Sequence, residues 1–159
     1  METTKTKKPK KREPRPAGMP WLIPYLTVRD VAEAINFYEN AFGFDKSYTM
    51  EGQDGRTIHG SLKYQGMTVI MVGSEGAYGG KCKPPASTKT DCPINLYVYC
   101  PDIDALYHQA KDAGAKVVSE PADMFWGDRT AQFEDPDGYR WTFATNVGKF
   151  DAYKAPKSQ

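Results

Sequence analysis

The chain has 159 residues with 21 basic and 20 acidic side chains, which gives a formal net charge of +1. At this length we expect one compact unit or two small modules, large enough to bury a real core. No apolar run is long enough to cross a bilayer and no signal-peptide pattern is present, so the sequence predicts no membrane partner.

The positive charge is concentrated at the N-terminal end. Residues 1–19 hold seven basic and two acidic side chains, which leaves 14 basic and 18 acidic residues in the remainder. A segment rich in Lys and Pro and poor in apolar residues is expected to be a flexible tail. Such a tail can touch nucleic acid weakly, but the mildly acidic remainder argues against a nucleic-acid-binding body.

Three cysteines, Cys82, Cys92 and Cys100, form no C-x-x-C motif and leave an odd number. This pattern is typical of a reducing compartment, so we expect a cytoplasmic protein. None of the three has a basic neighbour at motif spacing, so we interpret the thiols as inert.

The first half of the chain reads as a strand, a helix and three strands. Asp30 is a good N-cap, and Gly43 is a typical C-terminal stop. Apolar residues between them recur at helical spacing and form one face. The strands are predicted over residues 21–28, 44–50, 57–64 and 67–73.

The pattern restarts after residues 74–92, which are rich in Gly, Pro, Ser and Lys and have no period. A strand is predicted over residues 95–100, followed by a helix that Asp102 caps and Gly114 ends. A short strand follows at Val117 and Val118. Two further strands flank a turn over residues 135–138, Asp-Pro-Asp-Gly, in which Pro and Gly have the turn conformations that each prefers.

The two halves superpose at an offset of 72 residues, with matches at helix caps and turns: Tyr25 with Tyr97, Asp30 with Asp102, and Gly66 with Gly138. We therefore predict an α+β fold of tandem β-α-β-β-β modules. Two modules side by side would form a half-open, eight-stranded barrel-like sheet with helices outside and a cleft inside. The predicted units are a tail (1–19), a first module (20–73), a linker (74–92), a second module (93–147) and a C-terminal tail (148–159).

Residues 24–44, P-Y-L-T-V-R-D-V-A-E-A-I-N-F-Y-E-N-A-F-G-F, resemble the first module of the vicinal oxygen chelate superfamily, which includes glyoxalase I, bleomycin-resistance proteins, fosfomycin-resistance proteins and extradiol dioxygenases. M-F-W-G-D-R followed by D-P-D-G-Y-R-W resembles the PhnB-like branch of that superfamily. The resemblance covers about residues 21–147. It is specific for the fold but not for an activity, since the superfamily hosts many chemistries.

In metal-using relatives the ligands, His or Gln, Glu, His and Glu, come from the first and last strand of each module. The matching positions here are Ile23, Ile70, Asn95 and Thr142. Isoleucine offers no ligand atom, and Asn and Thr are weak ligands for a divalent cation. The departure from the family pattern predicts that no metal and no other cofactor is bound.

Strand alternation assigns residues to the cleft. Tyr25 should line it from the first module, and Asn95, Tyr97, Tyr99, Arg140 and Thr142 from the second. Trp141 and Phe143 should then point to the helix layer. The loop before the seventh strand places Phe125 and Trp126 next to Asp128 and Arg129, a composition suited to the wall of a pocket for a flat ligand with polar edges. The plainer interpretation is that these rings pack on the core and the two charges pair with each other.

His59 is the one candidate for acid–base catalysis, since its strand position can face the cleft. A histidine that is only hydrogen-bonded within the sheet is the alternative, and His108 lies on the polar side of its helix.

Three functions therefore remain. The first is a homodimeric protein that binds a planar or amphipathic small molecule without a metal. The second is a metal- or His-dependent lyase, isomerase or dioxygenase of the glyoxalase type. A third possibility is a scaffold that acts through its basic tail.

Overall fold

A computed structural model describes residues 12–156, and residues 1–11 of the predicted tail lie outside the described range. The first module consists of β1 (Tyr25–Val28), α1 (Val31–Phe42), β2 (Asp45–Glu51), β3 (Thr57–Tyr64) and β4 (Met67–Ser74). Asp30 caps α1 by accepting a 2.9 Å hydrogen bond from the Glu33 amide, and Gly43 ends it at a φ of 67°. Both predicted helix boundaries are therefore confirmed.

The second module repeats the order with β5 (Asn95–Tyr99), α3 (Ile103–Asp112), β6 (Lys116–Asp123), β7 (Asp128–Glu134) and β8 (Arg140–Asn146). Its helix α3 is capped in the same way, because the Asp102 side chain accepts from the Ala105 amide at 3.0 Å. One short helix, α2 (Pro85–Thr88), lies in the predicted linker. The tandem β-α-β-β-β fold that the sequence predicts is thus confirmed.

The eight strands form two four-stranded mixed sheets, with the orders β1-β4-β3-β2 and β5-β8-β7-β6. In each sheet one of the two outer strands, β1 or β5, runs parallel to its neighbour, and the other pairs are antiparallel. Each sheet has one face toward the helices and one face away from them, which we call its inner face. Tyr97 and Tyr99 lie on the inner face of the second sheet.

Helix α1 packs against both sheets and joins the modules in one core. The Phe42 ring centroid lies 4.7 Å from that of Phe143 and 5.2 Å from that of Trp141, both on β8. Trp141 and Phe143 are fully buried, as strand alternation predicts. Because α1 also covers β3 and β4 of its own module, the apolar faces of the two sheets are shielded together.

Two predicted elements differ in length from the observed strands. The first strand begins at Tyr25 rather than at residue 21, since Pro24 directly before it has no amide hydrogen to donate. Strand β6 has eight residues where only Val117 and Val118 are predicted. It contains Pro121 and register irregularities, which an outer strand tolerates because one edge needs no partner.

Within the described range, no helix is long and apolar enough to span a bilayer. The part of the predicted tail that is described contacts the body at Met19, whose Sδ lies 3.5 Å from the Thr68 hydroxyl. Arg15 lies 5.0 Å above the Trp21 ring in a cation–π arrangement.

Candidate functional site

The inner face of the second sheet carries a buried carboxylate under three exposed aromatic rings. Asp128 begins β7 and is only 3% exposed. Its Oδ2 accepts hydrogen bonds from the hydroxyls of Tyr97 at 2.8 Å and Tyr99 at 2.9 Å. Trp126 donates from its ring nitrogen to the Tyr97 oxygen at 3.2 Å. We call Asp128, Tyr97, Tyr99 and Trp126 the aromatic face.

Strand geometry explains why these side chains meet. Tyr97 and Tyr99 are two residues apart on β5 and therefore point to the same side of the sheet. Asp128 lies opposite Asn146 of β8, and the Asn146 side chain donates to Asp128 Oδ1 at 2.9 Å. The carboxylate is thus held from both oxygens and cannot rotate away from the tyrosines.

A tight turn presents Trp126 to this face. The Gly127 amide donates to the Met124 carbonyl at 3.0 Å, which closes the turn one residue before Asp128. Gly127 has a φ of 98°, and a side chain there would lie 2.7 Å from the Gly148 carbonyl oxygen. Only glycine fits this position, so the turn and the direction of the indole are fixed by the backbone.

The hydrogen bonds set the protonation states of the aromatic face. Burial acts to raise the pKa of Asp128, but the hydrogen bonds from Asn146, Tyr97, Tyr99 and Trp126 outweigh it, and the pKa is lowered. Burial and the neighbouring carboxylate raise the pKa of Tyr97 to about 12, although the hydrogen bond from Trp126 acts in the opposite direction. At neutral pH the face therefore presents neutral phenols over an ionised carboxylate.

A polar group lies further along the same inner face. The Thr142 hydroxyl contacts Asn95, with Oγ1 to Nδ2 at 2.8 Å and Oγ1 to Oδ1 at 3.0 Å. It also accepts from Gln132 Nε2 at 3.1 Å. Arg140 pairs with Glu134 at 3.0 Å. The predicted residues Asn95, Thr142 and Arg140 are thus brought to one sheet face, where they offer hydrogen-bonding groups.

The first sheet carries a second, smaller group on its inner face. The Tyr25 hydroxyl lies 2.9 Å from His59 Nδ1, and the two rings stack with centroids 5.6 Å apart. Gly73 of β4 makes this possible, because a Cβ there would lie 2.5 Å from the Tyr25 oxygen. Tyr48 flanks His59 with a centroid distance of 6.1 Å.

Of two further predicted site residues, Arg129 lies away from these faces and Phe125 lies at the edge of one. Arg129 points to the helix side of β7, where it pairs with Asp104 of α3 at 2.9 Å and with Asp123 at 3.0 Å. Alternation along the strand explains this, because Asp128 takes the inner face. Phe125 packs edge-on against Trp126, with centroids 5.0 Å apart, and against Phe150, with centroids 5.8 Å apart, and so lies between the aromatic face and the C-terminal segment.

The two groups lie on different sheets, and no hydrogen bond or ring contact joins them within residues 12–156. Between β4 and the outer strand β5 lies an open groove of ≈ 540 Å³. Leu22, Met67, Leu96 and Val98 are among its lining residues, with Tyr97 and Tyr99 at its border.

The residues at the family's metal positions do not fit a divalent cation. Ile70 lies in the core at 1% exposure, so the position predicted from the 72-residue offset is wrong. Met71 pairs with Tyr25 as Thr142 pairs with Tyr97, and it is therefore the true counterpart. Ile23, Met71, Asn95 and Thr142 include no carboxylate, imidazole or thiolate. Across residues 12–156, no group of three or more His, Cys, Asp or Glu side chains is arranged to hold a metal.

Comparison with known proteins identifies the family. The family model of the glyoxalase/bleomycin resistance protein/dioxygenase superfamily matches residues 19–143. The chain belongs to this superfamily. An uncharacterised protein of Mycobacterium bovis is 36% identical over 129 residues, covering 80% of this chain and 84% of that protein. An uncharacterised protein of Mycobacterium tuberculosis has the same identity and 75% coverage of its own length.

Solved structures share the fold. TioX from Micromonospora sp. ML1 superposes with a TM-score of 0.63 at 23% identity, covering 79% of this chain and 98% of TioX. A mutant of the fosfomycin resistance protein FosX from Listeria monocytogenes, solved in complex with Mn(II), superposes with a TM-score of 0.58 at 14% identity, covering 77% of this chain and 86% of FosX. At these sequence identities the comparisons establish a common fold. The ligand and the chemistry have to be inferred from the residues of this chain.

Sequence analysis missed several residues that shape the two faces. Asn146 fixes Asp128, Gln132 joins the Asn95–Thr142 pair, and Gly73 makes room for Tyr25. Strand alternation could have predicted both Gln132 and Asn146. Gln132 lies an even number of residues from Asp128 on β7, and Asn146 lies an even number from Thr142 on β8, so each shares the inner face. Gly73 gives no such signal, because its role depends on a ring from another strand.

Proposed function

We propose that this superfamily member binds a planar or amphipathic small molecule on the aromatic face and does so without a metal. The observation that carries the proposal is the trio of exposed rings, Tyr97, Tyr99 and Trp126: both tyrosine hydroxyls donate to one buried carboxylate, and the indole donates to the Tyr97 oxygen. Rings held in place before binding lose little conformational entropy when a flat molecule stacks on them. The nearby exposed amide of Asn95, held by the buried Thr142 hydroxyl, supplies hydrogen bonds for a polar edge.

The residues at the family's metal positions support this proposal over metal catalysis. The four family metal positions hold hydrocarbon, thioether, amide and hydroxyl groups, which suit recognition better than Lewis-acid chemistry. We propose that the W-G-D-R and D-P-D-G-Y-R-W segments mark a PhnB-like chain, and the first of them supplies Trp126, Asp128 and the Gly127 turn of the aromatic face. The three free cysteines agree with the cytoplasmic location that we propose.

We further propose that the chain acts as a homodimer. The outer strands β1 and β5 each have one unpaired edge, and the inner faces beside them carry half-exposed rings such as Tyr25 and Tyr99. A two-fold partner that brings its first sheet next to this second sheet would cover both faces and turn them into a cleft. Sedimentation equilibrium of the full chain tests this, with twice the chain mass as the expected result.

Tryptophan fluorescence tests the binding proposal directly. Titration with a library of planar aromatic compounds should quench or shift the emission of Trp126, with saturation at one ligand per chain. Tyr99→Ala should weaken binding by at least roughly tenfold, because each stacked ring contributes on the order of 1 kcal/mol or more. Tyr153→Ala is the matched control, since that ring is fully exposed and lies outside both faces. Equal affinity for the two variants would contradict the proposal.

A second candidate is proton-transfer catalysis at His59. The 2.9 Å contact between Tyr25 and His59 Nδ1 favours it, because a phenol oriented against an imidazole is a typical acid–base pair. Under this proposal the protein is a glyoxalase-type lyase or isomerase, or a dioxygenase if a metal is recruited. Elemental analysis of the purified chain separates the two proposals: stoichiometric Zn, Ni, Mn or Fe would favour the enzyme. Turnover that His59→Gln abolishes and Tyr48→Phe leaves intact would favour metal-free catalysis.

A further inference from the structure

We infer that the aromatic face selects planar cations over neutral molecules of the same shape, because the carboxylate of Asp128 beneath it has no counter-charge. This inference rests on the proposed function, since it names the class of ligand that the same face would take. It follows from three observations: the partners of Asp128, the position of Arg129, and the direction of the two tyrosine hydroxyls.

The partners of Asp128 are all neutral. The carboxylate is 3% exposed and accepts hydrogen bonds from the hydroxyls of Tyr97 and Tyr99 and from the Asn146 amide, each between 2.8 and 2.9 Å. No Lys, Arg or His side chain within residues 12–156 forms an ion pair with it. Hydrogen bonds from neutral donors keep the carboxylate ionised and spread its charge, but the site retains a full negative charge.

The nearest cation in the sequence is directed elsewhere. Arg129 follows Asp128 directly, yet it lies on the opposite face of β7 and is held there by Asp104 and Asp123. Two carboxylates at 2.9 and 3.0 Å occupy its guanidinium, so this charge is already compensated on the helix side. Within residues 12–156, no ion pair therefore compensates the negative charge of Asp128.

The exposed rings of Tyr97, Tyr99 and Trp126 lie between Asp128 and a bound ligand. Tyr97 and Tyr99 each use their single hydroxyl hydrogen on Asp128. Because the Tyr97 oxygen already accepts from Trp126, the Tyr99 oxygen is the polarised hydrogen-bond acceptor that faces a ligand. Their rings and that of Trp126 are between 40% and 60% exposed and present negative π faces. A positively charged ring system is attracted by the carboxylate, can donate to the hydroxyl oxygen and stacks on the rings. A neutral ring system of the same shape only stacks.

A matched pair of ligands isolates the effect of charge. N-Methylacridinium and acridine have the same ring system and differ by a methyl group and one positive charge at pH of about 8. In isothermal titration calorimetry with the full chain, we expect the cation to bind roughly 10- to 100-fold more tightly than acridine. The reason is its attraction to the partly desolvated carboxylate and its cation–π contact with the rings. Asp128→Asn, which keeps the shape of the side chain, should remove this preference, and Asp104→Asn on the helix side should preserve it.

Salt dependence gives a second measurement that needs no variant. Raising NaCl from about 0.05 to about 0.5 M should weaken binding of N-methylacridinium several-fold and leave acridine nearly unchanged, because only the charged ligand is subject to screening. Equal affinities of the two ligands for the wild-type chain, or a preference that persists in Asp128→Asn, would overturn the inference while leaving ligand stacking on the aromatic face intact. Absence of binding by either ligand, together with no hit among other planar compounds, would instead overturn the proposed function itself.

Discussion

The hydroxyl of Tyr38 on α1 donates a 2.7 Å hydrogen bond to Asp135 Oδ2, and so a helix of the first module is joined to the turn of the second. Trp141 donates to the same oxygen at 2.9 Å. The other carboxylate oxygen accepts from the amides of Asp137 and Tyr139 at 2.9 Å. The turn therefore fixes its own conformation and the position of the neighbouring module through one buried side chain.

Tyr38→Phe should destabilise the fold at neutral pH. Burial raises the pKa of Asp135 above its ordinary value near 3.8, so its charged form depends on the remaining donors. Because the pKa is higher in the folded state, Asp135 contributes stability fully below the unfolded pKa, and this contribution is lost as pH rises through the folded pKa. We expect a loss of about 1–3 kcal/mol at pH of about 7 and a smaller loss near pH ~4, measured by urea unfolding.

Tyr153→Phe is the control for this variant, since its ring is fully exposed. It should leave the urea midpoint unchanged at both pH values. A Tyr38→Phe penalty that is the same at both pH values would show that packing, rather than the charge of Asp135, accounts for the loss.

The two modules should unfold in one transition. Phe42 of the first module contacts Phe143, Trp141 and Phe133 of the second, so neither module keeps a closed core without the other. Differential scanning calorimetry should show a single peak with equal calorimetric and van't Hoff enthalpies. Phe42→Ala should lower stability by about 3–5 kcal/mol without splitting the peak, whereas Phe150→Ala at the surface should cost roughly 1 kcal/mol or less. Two resolved peaks would contradict this description of the core.

Gly73→Ala should separate Tyr25 from His59. The added Cβ would lie 2.5 Å from the Tyr25 oxygen and 2.8 Å from its ring, so the ring must leave its place over β4. Tyr25 is half exposed and can swing outward, so we expect a cost of only about 1 kcal/mol. The NMR signals of the His59 ring should shift as the stacked partner leaves, and Gly148→Ala, which meets open space, should leave them in place. Unmoved His59 signals in Gly73→Ala would refute the positioning role.

Tyr97 should titrate at a higher pH than an unperturbed tyrosine. Its pKa is raised to about 12, chiefly by burial and further by Asp128. Because the folded pKa lies above the ordinary value of 10.0, the stability that Tyr97 contributes is complete below pH 10 and is lost as pH rises through about 12. The difference in tyrosinate absorbance between the wild type and Tyr97→Phe should therefore appear near pH ~12, and Asp128→Asn should move it to lower pH. A difference centred at pH ~10 would contradict the burial and pairing of this phenol.

Local signals in the sequence were sufficient for most of the fold. The capping aspartates Asp30 and Asp102, together with the glycine stops, located both main helices, and alternation placed Trp141 in the core. The observed strand over Thr57–Tyr64 has the predicted bounds. These features depend on neighbours a few residues apart, which is the range in which periodicity and turn chemistry act.

The site was harder to predict because it depends on register and on contacts between distant residues. A register irregularity between Leu62 and Lys63 shifts β4 by one residue relative to β8 of the second module. The 72-residue offset therefore predicted Ile70 at the position that Met71 occupies. The adjacent charges Asp128 and Arg129 seemed to belong to one pocket, but alternation sends them to opposite faces. The link from Tyr38 to Asp135 spans almost a hundred positions and has no sequence signature.

Asp128 anchors Tyr97 and Tyr99 through the same oxygen, and this makes the two positions interdependent during evolution. A replacement at either tyrosine changes the hydrogen bonding of the carboxylate that orients the other, so the effects of successive substitutions should show epistasis. Lineages that change ligand would then alter Asp128 early, since the constraint on both rings is released in that single step.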